Sequence, residues 1–217
     1  MGSKERVVPP GLGETGGPSS AEWVGENLRR AIVLDMGERP ESLFELSRRS
    51  PVLVVFLRHF GCTFCREALA DVAARRAEIE GRGAKIVLVH MVDSTSARPH
   101  LAKYGLGKGS GVGHVSDPSR ALYRAFDLKR GTFGQHFGPS SIVRALRAMI
   151  VDRHGLGRLA GDGFQMPGAF LVRNGAIVKA YRHRLSSDRP DYCEIAAGEA
   201  SRHQGGEASR GEAADAA

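Results

Sequence analysis

The sequence predicts an α/β fold, a central mixed sheet with helices on both faces. Three observations carry this. Val52-Leu53-Val54-Val55-Phe56-Leu57 is continuously apolar and too short for a helix, the mark of a strand buried on both sides. Lys85-Ile86-Val87-Leu88-Val89-His90-Met91 repeats that pattern, and between the two runs Ala68, Leu69, Val72, Ala73 and Ile79 recur near helical spacing until Gly81-Arg82-Gly83 stops them. Strand, helix and strand of this length make a βαβ unit, with parallel strands and a right-handed crossover. Finally, the runs 169–173 and 176–181 flank Asn174-Gly175, the dipeptide of a type I′ hairpin turn, which adds antiparallel strands to the parallel core.

The remaining elements follow in order. At 217 residues the chain fits one domain with tails. Residues 1–21 and 196–217 have no apolar periodicity and are expected to be disordered, leaving 22–195 as the domain. Ser19-Ser20-Ala21-Glu22 caps a helix through Trp23, Val24 and Leu28. Ala31-Ile32-Val33-Leu34 reads as an edge strand and Pro40 to Leu46 as a short helix. Residues 96–104 are expected to be helical, 112–116 a strand, and Asp117-Pro118 the start of a helix through Leu122 and Phe126. A glycine-rich loop spans 129–139, and Ser140 opens a helix with Ile142, Val143, Leu146, Met149 and Ile150 on one face. A last helix lies around 188–197. The alternating glycines Gly105, Gly107, Gly109, Gly111 and Gly113 lack the order of a nucleotide-binding loop and read as a connector.

Composition excludes several function classes. No apolar run approaches the ~18 residues of a membrane span. The N-terminus lacks the apolar core of a secretion signal, so a cytoplasmic location is expected. The formal charge of +7 is scattered in pairs such as Arg29-Arg30 and Arg75-Arg76, and aromatics are only 6%. A nucleic-acid site would need a dense basic stripe with aromatics, so the reading is a solvated surface able to attract anionic partners.

The chemistry-bearing motif is Cys62-Thr63-Phe64-Cys65, set where the first central strand gives way to a helical pattern beginning at Arg66. A helix N-terminus offers unpaired N–H groups and a positive dipole end to the first sulfur, which favours thiolate. The spacing alone suits dithiol redox chemistry, half of a zinc site, or core cysteines. Zinc would need two further ligands, for which His90 is the nearest candidate without supporting spacing. Cys193 is a third thiol, either a bystander or a distant resolving cysteine.

A second feature lies a hundred residues on: Met166-Pro167, directly before the hairpin. Strand, CxxC, helix and then a proline opening a hairpin resembles the thioredoxin-like fold. That resemblance implies a cis Met166-Pro167 bond whose exposed backbone edge docks an extended substrate beside the sulfurs. The run from Phe56 to Glu67, with Asp117 to Phe126 and Gln165-Met166-Pro167-Gly168-Ala169-Phe170, resembles more narrowly the peroxiredoxin-like branch of the alkyl hydroperoxide reductase and thiol-specific antioxidant superfamily, which includes prostamide/prostaglandin F synthase-like proteins. Authentic peroxiredoxins carry Pro-x-x-x-Thr/Ser-x-x-Cys; here Val55 and His59 stand at the first two places, a departure from the usual peroxide pocket.

What the resemblance implies is a CxxC-dependent thiol oxidoreductase. Cys62, as the exposed nucleophile, attacks a peroxide or disulfide and Cys65 resolves the product. Pro167, Met166, Thr63 and Phe64 would dock substrate, and Arg58, His59 and Arg66 would stabilise the thiolate. No bound cofactor or metal is expected; an external dithiol would be required to reset the pair, the partner being a thioredoxin- or glutathione-type reductant. The alternative from another class is a non-enzymatic redox-sensing or metal-binding module on the same scaffold.

Overall fold

In the computed structural model of the chain, residues 19–37, 39–131, 164–185 and 187–197 are described. The first helix, α1 (Ser20–Arg30), starts where the sequence places it. The Ser19 hydroxyl accepts the Glu22 N–H while the Glu22 carboxylate accepts the Ser19 N–H at 2.7 Å, a complete capping box. Strand β1 (Ile32–Val33) pairs antiparallel with β2 (Glu41–Ser42), so the expected helix at 40–46 begins later, as α2 (Leu43–Arg49). The cause is Ser42, whose hydroxyl caps the Glu45 N–H at 3.2 Å and fixes the helix start behind it.

The main sheet has the order β5-β4-β3-β6-β7. Its parallel half is β3 (Val52–Phe56), β4 (Lys85–His90) and β5 (Gly113–Ser116), and its antiparallel half is β6 (Gly168–Arg173) and β7 (Ala176–Arg182). The continuous apolar run thus sits in the middle strand, with all five residues of β3 buried. The βαβ crossover helix is α3 (Thr63–Gly81), followed by α4 (Ser94–Ala102) and α5 (Ala121–Ala125). Helix α5 is shorter than expected because the Asp117 carboxylate itself accepts the Ala121 and Leu122 N–H groups, both at 2.9 Å, across a turn in which Arg120 adopts φ 60°. The last helix, α6 (Tyr192–Ala196), is likewise trimmed, its cap being Asp191 after Pro190. The expected helix from Ser140 and most of the loop before it lie outside the described residues. On either side of them Arg130 and Gln165 form an antiparallel bridge.

Strand alternation sorts the interior into two cores. Leu53, Val55, Leu57, Ile86, Leu88 and Leu171 face α3, α4 and α6. Val52, Val54, Phe56, Val87, Val89 and Phe170 face α1, α2 and α5. The hairpin turn has Asn174 at φ 51° and Gly175 at φ 74°, as type I′ requires. It is pinned to α2, since the Asn174 N–H donates to the Ser47 carbonyl at 2.8 Å and the Gly175 N–H to the Ser47 hydroxyl at 3.0 Å.

Candidate active site

The site forms where β3 runs out. Leu57 still donates to the Val89 carbonyl at 2.9 Å, and the carbonyls of both residues accept the buried Tyr123 hydroxyl from α5. Beyond this brace the chain turns through Arg58-His59-Phe60-Gly61, and the Cys62 N–H donates to the His59 carbonyl at 3.0 Å. Cys62 is the N-cap of α3, with extended backbone at φ −76° and ψ 127°. The helix therefore starts at Thr63, a turn earlier than the apolar pattern indicates, because the CxxC residues themselves form its opening turn.

Cys62 is only 6% exposed, which corrects the expectation of an exposed sulfur. The reason is Arg58, itself 8% exposed, whose Nη2 lies 3.3 Å from the Cys62 Sγ. The Arg58 backbone N–H donates to the Cys65 Sγ at 3.2 Å, so one residue contacts both sulfurs. All three cysteines are free thiols. The Cys65 thiol hydrogen-bonds to the Cys62 sulfur. That bond, the Arg58 charge and the N–H groups of Cys65 and Phe64 lower the Cys62 thiol to about 6 against the opposing effect of burial. Cys65 is pushed the other way, by the same bond to Cys62, by burial and by the neighbouring negative charge.

Other residues named from the sequence are distributed around this pair. Arg66 donates from Nε to the Phe60 carbonyl at 3.2 Å, bracing the turn. His59 is buried and meets Cys62 through its carbonyl. Phe64, Cys65 and Pro167 line one small cavity of about 20 Å³, room for a single water-sized molecule, together with Arg58 and Val55. Thr63 and Met166 are buried beside it.

The cis Met166-Pro167 bond is not found: the described residues contain no cis peptide bond. The Met166 N–H donates to the Lys129 carbonyl at 3.1 Å and the Pro167 carbonyl accepts the His183 N–H at 3.4 Å, so both ends of this dipeptide are tied to remote backbone. With no turn to make, the proline keeps the trans form that X–Pro bonds favour by about 0.5–1 kcal/mol. The Pro167 carbonyl is thus paired within the chain, and Pro167 lines the cavity together with Cys65.

Sequence reading missed much of that cavity's polar lining: Glu67, Asp71, His183, Asp188, Arg189 and Tyr192. Arg189 reaches back to α3, pairing with Glu67 at 3.2 Å and with Asp71. Nothing in the spacing of these residues signals that the C-terminal segment folds over the start of α3. Cys193 packs far from the pair, its Sγ 3.9 Å from Arg75 Nη1. Ten residues of helix separate Arg75 from Cys65, about 15 Å along the axis. His90 bonds to Val92 and His114 rather than approaching the cysteines. Among the described residues no three metal-ligating side chains converge, and no helix is long and apolar enough to cross a membrane.

A thiol polarised at a helix N-terminus, on a mixed five-stranded sheet with helices on both faces, defines the class as a thioredoxin-fold thiol protein. The family model described as AhpC/TSA antioxidant enzyme matches residues 73–187, and the chain belongs to that family. The match begins just after the cysteine pair. Among curated proteins the chain is 29% identical to "Peroxiredoxin-like 2C" of Bos taurus over 59% of its own length, and 27% identical to prostamide/prostaglandin F synthase of Salmo salar over 79% of its own length and 82% of that protein. It spans little more than half (55%) of the bovine relative. Among solved structures, reduced Prx3 of Vibrio vulnificus in complex with hydrogen peroxide superposes with a TM-score of 0.54 at 16% identity, covering 79% of this chain and 96% of that one, a likeness of fold.

Proposed function

We propose that this protein is a peroxiredoxin-like thiol oxidoreductase in which Cys62 is the nucleophile and Cys65 the resolving thiol. The observation that carries the reading is the opposite polarisation of two sulfurs held by one residue. Arg58 sets its guanidinium on Cys62 and its backbone N–H on Cys65, with the first thiol lowered and the second raised.

The Cys62 thiolate attacks the outer oxygen of a hydroperoxide, the O–O bond breaks, and the leaving alkoxide takes a proton, giving a sulfenic acid and an alcohol. Cys65 then attacks the sulfenic sulfur, loses its proton and expels water, leaving a Cys62–Cys65 disulfide. A thioredoxin-type dithiol, or two glutathione-type thiols, returns two electrons and two protons to close the cycle. With a disulfide as oxidant, Cys62 attacks one sulfur and releases the other as a thiol, and Cys65 then attacks Cys62 of the mixed disulfide and releases the second thiol, leaving the same Cys62–Cys65 disulfide. Such a cycle runs in a compartment that keeps thiols reduced, as the cytoplasm does. The burial of Cys62 implies that the Arg58 side chain moves aside as substrate enters.

The test is turnover of reduced protein with hydrogen peroxide, an organic hydroperoxide and a model disulfide in parallel, followed by peptide mapping after differential alkylation. Cys62→Ser should abolish turnover. Cys65→Ser should support one attack and trap the adduct. Mapping should place the disulfide at Cys62–Cys65 with Cys193 free, and a dominant Cys62–Cys193 link would overturn the assignment of Cys65.

A further inference from the structure

His90, His114 and Asp35 take no part in the chemistry above, yet they form a chain of hydrogen bonds that runs from the surface to the underside of the cysteine turn. His90 ends β4 and His114 lies in β5, and they are 1% and 2% exposed. His90 Nδ1 is 2.9 Å from the Val92 carbonyl, which also accepts the Ser116 hydroxyl at 2.7 Å. His90 Nε2 is 2.9 Å from His114 Nδ1, and His114 Nε2 is 3.1 Å from an Asp35 carboxylate oxygen. Arg98 of α4 holds the two Asp35 oxygens at 2.8 and 3.1 Å. At the inner end the His90 ring packs on Phe60 at 5.6 Å between centroids, and Phe60 also stacks with His100 at 4.7 Å. Phe60 stands two residues before Cys62.

The end groups of this chain fix where its protons sit. A carbonyl only accepts, so His90 Nδ1 carries a hydrogen. Burial keeps His90 neutral, its affinity for a second proton lowered to about 4, so His90 Nε2 is bare and accepts from His114 Nδ1–H. The Asp35 carboxylate, kept ionised by Arg98, also only accepts. The third contact therefore requires a hydrogen on His114 Nε2 as well. All three bonds exist together only when His114 is an imidazolium. Burial opposes that charge and Asp35 favours it, with burial the larger effect. The chain is thus completed by a proton that binds below the ordinary imidazole range of about 6.5.

We propose that Asp35 and His114 are positioning residues for Cys62, forming a proton-completed brace that acts through His90 and Phe60 on the turn carrying the sulfur. This rests on the reading of Cys62 as nucleophile. The charged and titratable groups facing the brace are Arg98 at Asp35, Asp93 near His90, and Arg66 and Lys103 beside His100. Two other groups near the brace titrate below the free imidazole range or close to it: His100, stacked on Phe60, and Cys62 itself, whose ionisation the rate per thiolate removes.

The experiment uses the full chain with nitrogen-15-labelled histidine, followed by two-bond nitrogen–proton correlation spectra between about pH 4.5 and 8.5. In parallel, the iodoacetamide rate of Cys62 is measured per thiolate, with the thiolate fraction taken from ultraviolet absorbance. His90 should stay in the neutral Nδ1–H form throughout while His114 gains a second ring proton below pH 6.5. The rate per thiolate should change at least about threefold across that titration. In Asp35→Asn the amide can donate to a neutral His114 and complete the chain without the proton. The step should then vanish, the rate holding at its acidic value, although His100 is untouched. A His114 that never carries two ring protons, or a His90 that gains a proton at Nε2 before His114 gains its second, overturns the brace. A wild-type rate per thiolate that stays flat while His114 titrates overturns its positioning role. The spectra need no variant and do not depend on which thiol is the nucleophile, so failure of the brace and failure of the Cys62 assignment are told apart.

Discussion

Arg58 places a charge on one sulfur and a backbone N–H on the other, and only the first of these can be removed by substitution. Arg58→Gln should therefore raise the Cys62 thiol by about one unit while leaving the contact to Cys65 in place. At pH 7 the thiolate fraction would fall from about nine-tenths to about half, read from ultraviolet absorbance, with a parallel loss in the rate of peroxide attack. Arg58→Lys keeps the charge without the planar fork and should fall between the two. An unchanged thiol in Arg58→Gln would assign the lowering to the Cys65 hydrogen bond and the helix N–H groups alone. Single residues also mark the limit of what spacing conveys. The depressed first sulfur is legible in the CxxC spacing, which brings the Cys65 thiol onto it at a helix start, whereas the Arg58 charge beside it and its burial depend on how one arginine side chain folds back, which no pattern of residue types records.

Among the elements, the β6–β7 hairpin offers the sharpest test of packing. A Cβ on Gly175 would lie 2.3 Å from the Phe44 ring, at a backbone φ of 74°. Gly175→Ala therefore combines strain with a clash and should cost about 2 kcal/mol or more in urea denaturation. Asn174→Ala, with a positive φ but with the backbone contacts to Ser47 kept, should cost about 1 kcal/mol. Elements with a strong periodic signal were legible in the sequence: the β3-α3-β4 unit, the capped α1, and this hairpin. Boundaries failed where a side chain outcompeted the pattern. Ser42 delays α2, Asp117 shortens α5, and Asp191 trims α6, each by supplying its own cap. The expected cis Met166-Pro167 bond failed differently, since this segment is tied by backbone contacts to Lys129 and His183, which are remote in sequence. The long-range lining of the cavity and the His90-His114-Asp35 chain were likewise invisible, because each joins segments far apart in the sequence.

For the whole molecule, burial of titrating groups sets how stability responds to pH. His90 and His183 are held near 4 by burial, below the 6.5 of a free imidazole. Between those values the unfolded chain binds protons that the native one refuses. Their contribution is thus fully present above pH 6.5 and is lost as pH falls toward 4, on the order of 3 kcal/mol each at most. Cys62 acts in a higher window: lowered from 9.0 to about 6, it adds stability as pH rises from 6 to 9. Denaturant midpoints measured across pH should fall steeply below 6.5, and Cys62→Ser should flatten the rise between 6 and 9. A midpoint unchanged between pH 7 and 4.5 would contradict the burial of these imidazoles. The sheet also divides the interior unequally between folding and chemistry, since Cys62 and Cys65 are themselves members of the core on the α3 side while the α1, α2 and α5 side holds neither. In a saturation library sorted once for abundance and once for survival under peroxide, the two scores should track each other among residues such as Val54, Val87 and Phe170. They should part company around Leu57, Leu69 and Tyr192, where a conservative swap that leaves the protein plentiful can still retune its thiol, making that half of the interior the place where new reactivity is most readily selected.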